Sequence, residues 1–147
     1  MAEAVDVMSE RIYVDSPAPW VRDQVAAIDA AGDTAAASIQ GMAVVVLHIK
    51  GAKSGTWRKV PLMRVEHDGA YAAVASKGGA PDNPQWYHSL RANPDIDLQD
   101  GTATMPMRAR ELAGDERSQW WERCVAAFPN YAEYQQNAGD RQIPVFV

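Results

Sequence analysis

The 147 residues fit one domain large enough to bury a core. A net charge of -5 argues against a nucleic-acid binder, which would present a broad basic face. The lone cysteine, Cys124, excludes an internal disulfide and a cysteine-rich metal site and points to a reducing cytoplasm. The opening "MAEAVDVMSE" lacks the features of a signal peptide, and the longest apolar run, "MAVVVL", is far too short to span a bilayer.

The stretch "DSPAPWVRDQVAAIDAAGD" predicts a helix opening at Ser16 or Pro17 and stopped by Gly32. Trp20 or Val21, Val25 and Ile28 form its apolar stripe. Aspartates occupy the opposite side, so the stripe is expected to face a core, and nothing calls for a peripheral membrane contact. Residues 42–49 read as a buried strand, "KGAKSG" as a turn, and 57–66 as a second strand in which Pro61 requires an edge or a bulge. Asp68-Gly69 signals a hairpin into a third strand, "AYAAVA". In the loop "SKGGAPDN", Gly78 and Gly79 let backbone approach a ligand closely. Asn83 and Pro84 read as the cap and first residue of a short helix, "QWYHSLRAN".

Strands follow at "DIDLQ" and "TATMPMRAREL", joined by a turn at Asp100-Gly101. The segment "GDERSQWWERCVAAF" is an amphipathic helix with Trp120 or Trp121, Cys124 and Phe128 on one face; "NYAEYQQNAG" is a shorter helix, and "QIPVFV" a last strand. Hairpins outnumber crossover helices. An α+β fold is therefore expected, a mostly antiparallel barrel with surrounding helices rather than a doubly wound parallel sheet.

The charge is unevenly placed. Between residues 50 and 77, Lys50, Lys53, Arg58, Lys59, Arg64 and Lys77 face only Glu66 and Asp68, whereas residues 1–33 are acidic. Such a local excess suits a pocket for a discrete anion, or a set of solvated strand-edge charges. His48, His67 and His88, expected in a strand, at a turn and on a helix, lack metal-ligand spacing. No serine has a nucleophile-elbow context, and neither a Walker loop nor a G-x-G-x-x-G is present.

Three segments in register, "GAKSGTWRKVPL", "VASKGGAPDNPQWYHSLRANP" and "FPNYAEYQQNAGDRQIPVFV", resemble the deazaflavin-dependent nitroreductase family, the F420-dependent reductases and quinone reductases of actinobacteria. The resemblance implies the split β-barrel of the FMN-binding type over residues 1–147, with 1–33 as a helical extension. It also implies coenzyme F420, an 8-hydroxy-5-deazaflavin, held by its phosphate and oligoglutamate tail. On the family pattern, Lys53, Ser54 and Arg58 hold the tail, Pro61 and Leu62 run beside the cofactor, and Ser76, Lys77, Gly78 and Gly79 form a second cofactor loop. Trp86 and Tyr87 lie on the following helix, against cofactor or core. Tyr131 and Tyr134 line the substrate side and, with Ser76, could relay a proton.

The implied reaction is hydride transfer from reduced F420 to a quinone, enone or nitro compound. Two rivals stay open: an FMN- or FAD-dependent reductase on the same barrel, and a non-catalytic F420-binding or storage protein. The expected partner is a small-molecule acceptor, with no nucleic acid; the sequence leaves the oligomeric state open.

Overall fold

Residues 44–49 are buried on both sides, as a run rich in β-branched side chains requires, and this places β1 (Val44–Lys50) inside a sheet. Burying each Val, Leu or Ile of this run contributes about 1.5 to 3 kcal/mol. The computed structural model describes residues 11–16, 18–39, 41–79, 83–139 and 142–147. β1 pairs antiparallel with β2 (Trp57–Met63) on one side and with β6 (Asp95–Asp100) on the other, and β6 pairs with β7 (Ala103–Arg108). The order is β2-β1-β6-β7. Pro61 and Pro106 lie on the edge strands β2 and β7, where a missing N–H is tolerated; β2 keeps its register through Pro61, so edge rather than bulge is the answer.

Between β2 and β6 the chain forms a hairpin of β3 (Glu66–His67) and β4 (Ala70–Tyr71), then β5 (Ala73–Val74), which pairs with β8 (Val145–Phe146) near the C-terminus. Asp68 (φ 52°) and Gly69 (φ 81°) are both left-handed, as a type I′ hairpin turn needs. The expected single strand "AYAAVA" is thus divided between two sheets. Ala72 N–H donates to Val65 O and Ala75 N–H to Pro144 O, so the partner changes along the segment. Its side chains alternate between two cores, Ala73 and Ala75 in one, Ala72 and Val74 in the other.

Register sorts the four-stranded sheet into two faces. Val45, Leu47, Ile49, Ile96 and Leu98 form an inner core with Ala73, Phe146, and Tyr87 and Leu90 of a helix over residues 85–92. Val44 and Val46 face outward beneath α1 (Pro19–Ala31), which contributes its buried residue Ile28. α1 opens at Pro19 with Ala18 as N-cap, later than Ser16; Pro17 is outside the described residues. Gly32 (φ 68°) ends it as expected, donating to Ile28 O. Trp20 is 57% exposed, so Val21 and not Trp20 belongs to the stripe.

The helix α2 (Gln85–Ala92) has Pro84 as N-cap with no side-chain cap bond, which corrects the expected Asn83 cap by one position. The β6–β7 turn is Gly101–Thr102, since Asp100 still pairs with Ala103. α3 (Gly114–Ala127) buries Trp120 and Cys124, with Phe128 following at the same spacing, while Trp121 is half-buried. α4 (Asn130–Asn137) joins α3 in the second core through Tyr131, against Met63, Val65, Val74 and Val145. β7 and β8 are shorter than their expected strands. Among the described residues the architecture is mixed α+β with antiparallel pairing and four α-helices. None of these helices is long and apolar enough to cross a membrane.

Candidate functional site

The turn after β1 is closed by Gly51 N–H donating to Thr56 O at 2.7 Å, with Gly55 at φ 68°. Ser54 Oγ accepts from Thr56 N–H at 3.2 Å and lies 2.8 Å from Thr56 Oγ1, so this hydroxyl helps to build the turn. Lys53 is exposed at its tip and Arg58 is exposed on β2 opposite Ile49. Asn93, the C-cap of α2, donates Nδ2 to Lys50 O and to Gly51 O, fastening the loop to that end of the helix.

The basic cluster divides into two sets. Lys59 pairs with Asp29 at 2.9 Å and Arg64 with Asp100 at 3.0 Å. Lys50, Lys53, Arg58 and Lys77 make no ion pair with any described residue. The first three of these lie where β1 turns into β2, with Lys50 on the outer face opposite Trp57 and Arg58 on the inner face opposite Ile49.

Ser76 and the short 3-10 turn Lys77–Gly79 form the second loop, with Gly79 N–H donating to Ser76 O at 2.9 Å. Gly79 (φ 83°) is pressed against α4: a Cβ there would lie 2.7 Å from Tyr134 O and 2.8 Å from Asn137 Cβ. Its close backbone approach is therefore to a helix of the protein itself. This packing brings the second loop to Tyr134, as a shared site requires. Tyr131 and Tyr134 meet edge to face at 6.2 Å, and Phe128 stacks edgewise on both. Tyr134 is half-buried; Tyr131 is buried, and burial pushes its phenol pKa up.

α2, whose eight residues span about 12 Å, meets the β1–β2 turn at its C-terminal end. Trp86 is half-buried, its ring 6.4 Å from Phe146. Tyr87 is buried against Phe146 and donates its hydroxyl to Glu111. Successive strand residues point to opposite faces, so Leu62 shares the inner face with Val60 and Arg58 while Pro61 faces the α1 side. Gly78 adjoins Gly79 in the same turn. The candidate residues thus comprise the Arg58–Val60–Leu62 face of an edge strand, Trp86 packed against the same inner core, the β1–β2 turn fastened to the C-terminal end of α2, and the second loop packed on α4.

Sequence reasoning missed a polar network on the outer face. Trp57 N–H donates to Ile12 O and Val14 N–H to Trp57 O, which lays residues 12–14 along β2. Arg11 forms an ion pair with Asp97 and covers the Trp57 ring at 3.9 Å. Tyr13 Oη lies 2.9 Å from His48 Nδ1, and His48 Nε2 is buried without a hydrogen-bond partner among the described residues. Burial, with Lys59 adding, lowers the His48 pKa to about 4. The signal available was weak: a histidine in a strand buried on both faces needs a polar neighbour, but nothing local says which.

The family model for F420H(2)-dependent quinone reductase matches residues 20–147. A putative F420H(2)-dependent quinone reductase of Mycobacterium tuberculosis is 35% identical over 103 residues, which cover 70% of this chain and 86% of that protein. A solved structure of an F420-H2 dependent reductase is 55% identical with a TM-score of 0.67, covering 70% of this chain and 90% of its own. Another, described as a domain-swapped dimer, is 50% identical with a TM-score of 0.70, covering 89% and 98%.

Proposed function

The chain belongs to the F420H(2)-dependent quinone reductase family, and on that premise we propose how it works: as one split-barrel domain over residues 1–147 that reduces a small electron-poor quinone, enone or nitro compound in the cytoplasm. The barrel reading is supported by the four-stranded sheet and the β5–β8 pair facing each other across the inner core. The cytoplasmic setting is supported by Cys124, a buried free thiol. The observation that carries the site is that Lys53, Arg58 and Lys77 make no ion pair with any described residue, while Leu62 and Trp86 are half-buried apolar side chains packed against the inner core. These residues fit F420. Cations without an ion-pair partner suit a phosphate and carboxylate tail, and half-buried apolar side chains suit a planar ring.

Bound there, reduced F420 supplies a hydride from its C5 carbon, where carbon disfavours one-electron and oxygen chemistry. Arg58 would hold the phosphate with its planar fork, and Lys53 and Lys77 would add point charges. Leu62 and Trp86 would pack on the ring and exclude water from it; Pro61 stiffens the strand, and Tyr87, tied to Glu111, fixes the helix that carries Trp86. Ser76 and Tyr134 orient the acceptor and hold the proton that completes its reduction. Tyr131, buried with a raised pKa, acts through Tyr134 as a positioning residue.

Calorimetric titration of the apoprotein with F420, FMN and FAD tests this reading. F420 should bind selectively, more tightly with a longer glutamate tail at low salt, because exposed charge contacts are screened within about 8 Å at physiological ionic strength. Equal affinity for FMN overturns the cofactor assignment. Tight F420 binding without turnover of any acceptor class identifies a carrier. Reduced F420 deuterated at C5 must place its label in an enone product for direct hydride transfer to stand.

A further inference from the structure

A cavity lies within the inner core, and none of the residues assigned to F420 or its acceptor lines it. It has a volume of about 280 Å³ and opens partly to solvent between the four-stranded sheet and the β5–β8 pair. Leu47, Leu98 and Met107 form one wall, Ala73 and Phe146 the other, and Leu90 of α2 closes an end. The space has a sequence origin: the segment "AYAAVA" places alanine at 73, the lining position whose side chain joins the inner core, where a larger one would meet the opposite sheet.

The polar groups at its margin are already engaged. Tyr71 donates its hydroxyl to Asp100 Oδ2 at 2.7 Å. Arg108 and Arg110 turn exposed guanidinium groups to Asp95 and Glu116. A charged ligand would therefore lose its hydration without gaining a partner. Apolar cavities of roughly 150 Å³ hold benzene, so this one has room for about twice that. Phe146 and the Met107 thioether favour aromatic rings. We propose that this cavity is a second ligand site, distinct from the reductase site, for a neutral aromatic molecule of two fused rings.

The test uses the full chain without F420, so its outcome is independent of the cofactor assignment. The protein is labelled with ¹³C at the methionine methyls and titrated with naphthalene. Met107 should shift saturably, while Met42 and Met63, in the other core, stay in place. 2-Naphthoate, of similar size but charged, should leave Met107 unmoved. Ala73→Leu fills the space and should abolish the naphthalene shift without lowering Tm. Should that variant fail to fold, nuclear Overhauser contacts between naphthalene protons and the Met107 methyl in the unaltered chain decide the matter. A Met107 signal unmoved by naphthalene, equal binding of 2-naphthoate, or a shift that survives Ala73→Leu overturns the proposal.

Discussion

Replacing Gly79 by alanine tests the junction that joins the second loop to the tyrosine helix. Gly69 provides the control. The two glycines have nearly the same backbone, φ 81° at Gly69 and φ 83° at Gly79, so alanine at either costs about 1 to 2 kcal/mol for left-handed geometry. At Gly69 the added Cβ meets nothing within 4 Å. At Gly79 it meets Tyr134 O at 2.7 Å, Asn137 Cβ at 2.8 Å and Tyr134 Cα at 3.0 Å. Two of those three atoms are helix backbone and cannot rotate away, so overpacking adds about 1 to 3 kcal/mol. Urea unfolding should therefore show Gly79→Ala destabilised by about 2 to 5 kcal/mol and Gly69→Ala by about 1 to 2 kcal/mol. In a thermal melt each kcal/mol lowers Tm by about 2 to 4 °C for a chain of this size. F420 affinity should fall in the folded Gly79 variant and hold in the Gly69 variant. Equal destabilisation of the two refutes the packing argument, and unchanged F420 affinity in Gly79→Ala removes the second loop from the site.

The other expectations are more local. Lys53→Ala and Arg58→Ala should each weaken F420 binding by about 1 to 3 kcal/mol, with a loss that shrinks as salt rises. Lys59→Ala, already paired with Asp29, should matter less, and titration calorimetry separates the cases. His48 titrates near 4 when folded, below its ordinary 6.5, so between those values the unfolded chain binds more protons. Stability should be full above pH 6.5 and decline as pH falls toward 4, by on the order of 3 kcal/mol, and His48→Gln should flatten that limb of the urea-unfolding profile. Tyr134→Phe should change kcat/KM unequally across a quinone, an enone and a nitroarene, whereas Tyr131→Phe should act chiefly on Tm; uniform losses in both would reduce the tyrosines to packing.

Elements set by neighbours in the chain were legible from the sequence. The Gly32 stop, the Asp68-Gly69 turn, the strand around Val44–Lys50 and the Trp120–Cys124–Phe128 face all depend on backbone preference and periodicity within a few residues. The family, too, was readable, because three separated motifs keep their order and spacing. Contacts across the fold decided the rest. Which lysines and arginines remain available for an anion depends on Asp29 and Asp100 arriving from distant segments to pair with Lys59 and Arg64. The division of "AYAAVA" between two sheets depends on β8 reaching β5 from the other end of the chain. Gly79 meets α4, and His48 its partner Tyr13, only through residues distant in the chain. Local sequence sets the conformations open to a segment, but burial and charge pairing are pairwise quantities whose second member is chosen by the fold.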